Sequence, residues 1–500
     1  MKNSKLISIL KKFDGTEFDR LKSFFGSPYF IAQKSLSDFA GVVLNVYPQF
    51  TDDNINENII YEELYPGQKF QRKTINDLMT LMIASIHKFF AVENFLNDPE
   101  EYKLRLMEAL RTKGMGNEFL RISEKFGIEL ESGKMDQQYY YHQLRFQNEL
   151  DLYYIQNLQH LGFAQYLKKK SDALDAFYIS VKLKLACEMI NRQSIFLSEI
   201  NLDILTDVIE YVSLNLQKFD NQPSIIVYYK IFLTLTNAED EKQYDDFLAI
   251  LEKTFDNFSK NELREIYGYA QNYCIKKINN GKVIYVRELF RLYLKLLETG
   301  IIYENNFLTQ WDYKNIATIG LRLKEYDWTE SFIRTNRDMI QPNFREMAYF
   351  YNLANLYYEK REFKNAIKTL FMFNDALKQI SDPSFEDTFY NLDSRSMFLK
   401  IYYELNEEDS FIATIETFKS FLNRNKKISE SQRVIYLNLI KYTKKLSDLQ
   451  RKLLHKSRKI AQRMVKDMKD EINAEKNIVN LAWLQGRVEE MEQRIGNGRK

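Results

Sequence analysis

Proline and glycine are scarce in this chain, with 7 prolines and 16 glycines among 500 residues. Average usage is about 5 % for proline and about 7 % for glycine, so both fall well short. Helix interiors exclude both residues, because proline removes a backbone donor and glycine costs conformational entropy. The scarcity therefore indicates a chain with few tight turns and a large share of helix.

Cysteine is almost absent. Cys187 and Cys274 are the only two, and they lie far apart in apolar helical patterns. This excludes a disulfide framework and a CxxC metal site. Two isolated thiols suit a reducing compartment, so we expect a cytoplasmic protein.

Long apolar runs are also missing. A membrane-spanning helix needs roughly 18 or more consecutive apolar residues, and the best run here, Leu78 to Ile86, ends at His87 and Lys88. The first 13 residues hold lysines around a short apolar stretch that is too small for a signal-peptide core. The sequence therefore predicts no transmembrane segment.

The sequence lacks the motifs of known catalytic and metal sites. It has no HExxH, no GxSxG and no phosphate-binding loop, and the GxG at 113–117 is better interpreted as a helix connection. Gly281-Lys282-Val283 lacks the hydroxyl residue that would bind magnesium. The four histidines are predicted on four separate helices, without partners at metal-ligand spacing: His87, His142, His160 and His455. We therefore expect neither a cofactor nor an enzyme, although a site assembled from distant helices would leave no motif.

What the chain does contain points to many packed helices. Hydrophobic residues make up 45 % of the sequence and aromatic residues 14 %, which is ample for a core. Helix starts are marked by Asp98-Pro99, by Ser259 with Glu262, and by Ser429 with Gln432. The predicted fold class is all-α. The predicted domains are an N-terminal helical module (1–95), a helical-repeat region (98–420) and C-terminal amphipathic helices (421–500).

The clearest repeat unit spans 345–378. Bulky and small residues alternate there at the spacing that lets two antiparallel helices pack closely: Phe350, Leu353, Ala354, Tyr357, Phe363, Ala366, Leu370 and Phe373. This unit resembles the tetratricopeptide repeat (TPR) family. The preceding unit is a fair match, with Trp328 at the aromatic position and Ser331 at the small position. The stretch 398–429 is similar to a group of uncharacterised bacterial helical proteins. The resemblance implies a TPR-like α-solenoid of stacked antiparallel helix pairs, closed by C-terminal capping helices.

In the TPR family the first helix of a repeat lines a peptide-binding groove. Carried over by position, the groove residues are Ala348, Tyr351, Asn352, Asn355, Tyr358 and Glu359. Asparagines at these positions hold the backbone of a peptide in binding members of the family. Tyr351 replaces the lysine that would grip a terminal carboxylate. The alternative is that these side chains pack against a neighbouring helix.

A basic block lies near the C-terminus. Residues 421–470 carry a net charge of +11, which leaves −9 for residues 1–420. The block surrounds an apolar stripe on one predicted helix (441–469): Lys441, Lys444, Lys445, Arg451, Lys452, Lys456, Arg458, Lys459, Arg463, Lys466 and Lys469. Such a face could bind nucleic acid, anionic lipid or an acidic partner. The alternatives are a solvated capping helix, or a block that meets the acidic region within the same chain or in a homodimer.

Two functions follow from these features. The first is a non-enzymatic scaffold or adaptor that binds a protein or peptide partner in a TPR-like groove. The second is a nucleic-acid-associated regulator that grips phosphate with the basic block. The N-terminal module argues against DNA binding at that end, because its 11 basic and 11 acidic residues cancel.

Overall fold

The computed structural model describes residues 1, 4–51, 53–157, 163–193, 204–380 and 388–496. Across these residues the protein forms 23 α-helices and no β-strand, with only two isolated backbone bridges outside the helices. The predicted all-α fold class is confirmed. The chain divides into two compact units, residues 1–259 and residues 260–500.

The first unit holds twelve helices, and consecutive helices pack against each other along most of its length. They are α1 (Lys5–Leu10), α2 (Gly15–Gly26), α3 (Lys34–Asn45), α4 (Glu57–Leu64), α5 (Arg72–Leu96), α6 (Pro99–Thr112), α7 (Gly116–Glu131), α8 (Gln137–Gln156), α9 (Phe163–Gln193), α10 (Leu205–Leu214), α11 (Pro223–Thr236) and α12 (Glu241–Thr254).

Helices α1 to α5 share one hydrophobic core that runs from Leu6 to Phe89. Helix α5 is its long central element and contacts each of the other four. The predicted core face of α5 is buried at Leu78, Met82 and Phe89, whereas Leu81 is 40 % exposed because it lies at the edge of that face. The predicted N-terminal module thus has a core of its own.

Helix α5 is the one helix in the described residues that is long and apolar enough to cross a membrane by length and composition. One such helix is weak evidence, because a core helix passes the same test. Here one side of α5 is covered by the four helices before it. The described residues therefore contain no clear transmembrane segment.

The second unit holds eleven helices. They are α13 (Lys260–Asn279), α14 (Ile284–Glu298), α15 (Gln310–Arg322), α16 (Tyr326–Thr335), α17 (Arg345–Glu359), α18 (Phe363–Lys378), α19 (Thr388–Leu405), α20 (Glu408–Arg424), α21 (Glu430–Leu453), α22 (Arg458–Ala474) and α23 (Leu481–Gly496).

Helices α13 to α20 form four consecutive pairs. The first helices of successive pairs also touch each other, because α15 packs on α17 and α17 packs on α19. This arrangement is compatible with a helical repeat and consistent with an α-solenoid. The predicted pair at 345–378 is formed by α17 and α18, where Ala354 and Ala366 are fully buried in the shared core.

The reversals inside these pairs share one turn geometry. After the first helix, one residue adopts the left-handed conformation, and the next N–H donates back to the carbonyl five residues earlier. The left-handed residues are Gly281, Lys324, Arg361 and Asn406, with φ of 87°, 61°, 59° and 56°. The four closing hydrogen bonds are 2.8–3.1 Å long: Lys282 to Lys277, Glu325 to Gly320, Glu362 to Tyr357, and Glu407 to Tyr402.

The predicted helix starts agree with the observed caps. Asp98 accepts a hydrogen bond from the Glu101 N–H at 2.9 Å, and Ser429 and Gln432 form a reciprocal capping box. The predicted boundary at 420 lies inside α20. Phe418 and Leu422 of that helix share a hydrophobic core with residues of α21 and α23. The boundary between the two compact units, at 259 and 260, lies within the predicted repeat region.

A matched pair of glycine substitutions tests the turn geometry. An added Cβ meets nothing within 4 Å at either Gly281 or Gly268, but only Gly281 has positive φ. We expect Gly281→Ala to destabilise the second unit by roughly 1–2 kcal/mol. Gly268→Ala, inside α13, should stabilise it by up to about 1 kcal/mol.

Urea denaturation followed by tryptophan fluorescence measures both effects, since Trp311, Trp328 and Trp483 all lie in the second unit. Changes of the same sign for the two variants would contradict the turn assignment.

Candidate functional site

Three side chains join the first helices of successive pairs. Asp393 on α19 accepts a hydrogen bond from the Tyr351 hydroxyl on α17 at 3.1 Å. The same carboxylate oxygen binds Lys314 Nζ on α15 at 2.7 Å. The Lys314 ammonium also lies 4.9 Å from the Tyr351 ring centre and 4.6 Å from that of Tyr390. This cluster fixes α15, α17 and α19 in register.

Burial decides which predicted groove residues are accessible. Ala348, Tyr351 and Asn352 have exposed fractions of 0 %, 4 % and 1 %, so they pack inside the unit. The Asn352 amide donates to the Ala348 carbonyl at 2.8 Å, and the Asn355 amide donates to the Tyr351 carbonyl at 3.1 Å. Burial, followed by the negative charge of Asp393, raises the pKa of Tyr351 well above its usual value. Tyr351 therefore acts as a packing residue here.

Asn355, Tyr358 and Glu359 remain at the surface of α17, and a residue that the sequence did not single out joins them. Lys400 of α19 places its Nζ 4.5 Å from the centre of the Tyr358 ring. Asn355 and Tyr358 are half-buried, whereas Glu359 is exposed. We call the surface formed by Asn355, Tyr358, Glu359 and Lys400 the α17–α19 face.

Lys400 is half-buried and has no ion-pair partner among the residues that the structure describes. Desolvation lowers the pKa of its ammonium, although the carboxylates of Glu359, Asp393 and Glu404 oppose that shift from a distance. Desolvation also raises the pKa of Glu359, against the opposing charges of Lys400 and Lys324. The face thus holds a half-buried ammonium and an exposed carboxylate that do not form an ion pair with each other.

One end of the α17–α19 face is closed by the C-terminal helix. Glu404 of α19 accepts a hydrogen bond from Trp483 Nε1 at 3.1 Å and pairs with Arg487 at 2.8 Å. Glu490 of α23 binds Arg361, the left-handed residue after α17, at 3.3 Å. Because both members of the Glu404–Arg487 pair are nearly buried, α23 is firmly attached to the end of α19.

The basic block does not form one helix, which corrects the prediction. Helix α21 ends at Leu453, and α22 begins at Arg458 after a turn. The predicted apolar stripe, which includes Ile460, is interrupted at this turn. Ile460 is 51 % exposed. The physical reason is local: Ser457 is extended and takes the N-cap position of a new helix, which allows α22 to turn back onto α21 and α23.

Several basic residues of the block are already paired. Lys445 binds Glu471, and Arg451 binds both Glu408 and Asp448. Lys469 binds Glu492 at 2.8 Å, and Arg458 donates to the Gly496 carbonyl at 2.6 Å. The remaining members are exposed and lack an ion pair within the described part of the chain: Lys441, Lys444, Lys452, Lys456, Lys459, Arg463 and Lys466.

The residues considered for metal or nucleotide binding are scattered. No group of three or more His, Cys, Asp or Glu side chains in the described residues could hold a metal ion. His87 and His142 lie in α5 and α8, His455 lies in the turn after α21 rather than in a helix, and His160 lies outside the described residues. The GxG motif forms the turn between α6 and α7, where Gly114 is left-handed.

The two cysteines are both buried within their own units. The Cys187 thiol contacts the Tyr228 carbonyl at 3.4 Å, and burial raises its pKa above the usual range. A raised thiol pKa disfavours the reactive thiolate, so the structure favours a packing role for Cys187.

No protein-family model matches this chain, and no curated protein matches it.

Substitutions at Tyr351 test its packing role. Tyr351→Ala should destabilise the second unit by about 3–5 kcal/mol, because it leaves a cavity beside Phe373 and Tyr390. Tyr351→Phe keeps the ring and removes only the hydrogen bond from the hydroxyl to Asp393. This substitution should destabilise the second unit by about 1.5–3 kcal/mol. Ile284→Ala is the control, since Ile284 is 78 % exposed. A Tyr351→Ala variant as stable as the control in urea denaturation would show that the ring is not packed.

Proposed function

We propose that this protein is a non-enzymatic scaffold or adaptor that binds a segment of a partner protein along the α17–α19 face. One observation carries the proposal: Lys400 is a half-buried cation that lies against Tyr358 without an ion-pair partner in the described residues. A poorly hydrated charge is costly unless an opposite charge compensates it. An acidic group on a partner would supply that charge.

The binding mode follows from the chemistry of the face. Tyr358 offers an aromatic surface of the kind that is enriched in protein interfaces. Asn355 offers an amide, whose carbonyl oxygen could accept from the backbone of a bound segment, and Glu359 offers an acceptor of opposite charge to Lys400. The TPR-like character of the 345–378 pair supports the same mode, because peptide-binding TPR proteins use the first helix of a repeat.

The proposal predicts that Lys400→Met weakens partner binding. Methionine keeps the length and packing of the stem but removes the charge, so recovery of the partner should fall roughly tenfold or more, as expected for a lost charged hydrogen bond. Lys368→Met, at an exposed position on α18, is the matched control. The measurement is affinity capture from the native lysate with tagged wild type and both variants, after nuclease treatment. Equal recovery with all three baits would remove the α17–α19 face from consideration.

A second candidate function is supported by the seven unpaired basic side chains of the basic block. Lys459, Arg463 and Lys466 are spaced i, i+4 and i+7, so they share one face of α22. A nucleic-acid-associated regulator would use this face to bind phosphates. This interaction with the phosphates would be electrostatic. It would be independent of base sequence unless other residues contact the base edges.

Salt dependence tests this second function. Binding to duplex DNA or RNA should weaken as salt rises, with a logarithmic slope of roughly 0.9 for each duplex DNA phosphate that is neutralised. The double variant Lys459→Glu/Arg463→Glu should abolish the interaction. Lys364→Glu/Lys368→Glu is the matched control, because it makes the same charge change at an exposed i, i+4 pair on α18. Nucleic-acid binding that ignores salt, or that both variants lose equally, would exclude the basic block.

A further inference from the structure

An open cleft lies between α19 and α20, on a different face of α19 from Lys400. It is open to solvent, has a volume of about 660 Å³ and includes Arg395, Thr417, Ser420, Phe421 and Arg424 in its walls. Arg395 is two residues from Asp393, which places the two side chains on different faces of the helix. We call this region the Arg395 cleft, and it is separate from the α17–α19 face.

Arg395 has the surroundings of an anion-binding residue that lacks its anion. Its guanidinium lies 4.4 Å from the centre of the Phe421 ring, and its buried Nε has no hydrogen-bond acceptor. No carboxylate within the described ranges pairs with it. Stacking uses the flat face of a guanidinium, so the donors on its edge stay available. Arg395 is half-buried, and burial lowers the pKa of its guanidinium.

The other side chains in the cleft add to this character. Arg424 is exposed and also lacks an ion pair in the described part of the chain. Asn425 and the Ser420 hydroxyl provide neutral polar groups beside it. Glu416 is the one acid in the walls of this cleft, and Lys419 lies 3.9 Å away to offset it. The arginines thus leave an excess of positive charge where the walls meet.

We propose that the Arg395 cleft binds the phosphate group of a small molecule. Arg395 would receive two phosphate oxygens on its in-plane donors while it stays stacked on Phe421. Arg424 would provide the second positive charge, which suits a dianion better than a monoanion. Ser420 lies in the same wall, and its hydroxyl would donate a further hydrogen bond. The binding would compensate a half-buried charge that is otherwise unpaired.

The test uses the full-length protein and inorganic phosphate as the probe. Phosphorus NMR line broadening of inorganic phosphate should saturate with added protein at constant ionic strength. In Arg395→Lys the protein-induced broadening of the phosphate line should fall at least about tenfold. Lysine keeps the positive charge but loses the planar, two-pronged donor geometry of arginine. Arg424→Met should reduce the broadening as well. This second variant keeps the test valid if Arg395→Lys folds poorly, since Arg424 is exposed.

Two controls separate a site from general attraction. Lys419→Met removes a neighbouring charge outside the proposed contacts and should leave the broadening intact. Acetate should bind more weakly than phosphate, because it carries a single charge. Its binding is measured by the broadening of the acetate NMR line. The proposal is overturned if phosphate shows no saturable signal, if the arginine variants bind as well as wild type, or if acetate binds equally.

Discussion

The second unit depends on a chain reversal that is completed by one left-handed residue. A helix with one apolar face must bury that face against a neighbour, and a short reversal brings the next helix into contact at once. The left-handed residue frees the following N–H to donate back to the carbonyl five residues earlier, which satisfies the end of the first helix. This turn recurs at Gly281, Lys324, Arg361 and Asn406. The pairing and stacking of α13 to α20 follow from it.

Helix content and pairing could be predicted from the sequence, but the turns could not. The periodicity of residues 345–378 and the cap residues at Asp98 and Ser429 indicated helices that the structure contains. Three of the four left-handed positions hold Lys, Arg or Asn, so the usual glycine signal was missing. The position of each turn also sets the repeat register. Thr329 lies five residues after Lys324, as Ala366 does after Arg361, which makes Thr329 rather than Ser331 the small-residue equivalent.

Sequence patterns identified some residues of the candidate sites but not the contacts between helices that complete them. The positions of Asn355, Tyr358 and Glu359 within the repeat correctly predicted that they lie on one helix. The repeat pattern did not indicate that α15 and α19 cover Tyr351. Lys400 stands 41 residues after Glu359, and only the contact of α17 with α19 brings them together. Among the described arginines whose buried Nε lacks an acceptor, Arg337, Arg345 and Arg487 each pair with a carboxylate but Arg395 does not, which is a property of the packed structure. Both sites therefore depend on tertiary contacts between helices that no local pattern specifies.

Several charged side chains of the second unit form ion pairs that hold its helices together. The Lys314–Asp393–Tyr351 cluster holds three helices in register, and the Glu404–Arg487 pair attaches α23 to the end of α19. Against this background, Lys400 and Arg395 stand out as half-buried positive charges without an ion-pair partner in the described residues, and they lie on different faces of the same helix. A scaffold that holds a partner segment on one face of α19 and a phosphate on the other would account for both.

The central claim, that a partner occupies the α17–α19 face, is tested most directly by site-specific photo-crosslinking in living cells. A photoreactive amino acid replaces Glu359 on this face, and in a separate variant it replaces Lys368, which is also exposed but lies on α18. Our account predicts a discrete crosslinked protein from position 359 and none from position 368. Crosslinks of equal strength from both positions, or from position 368 alone, would contradict it.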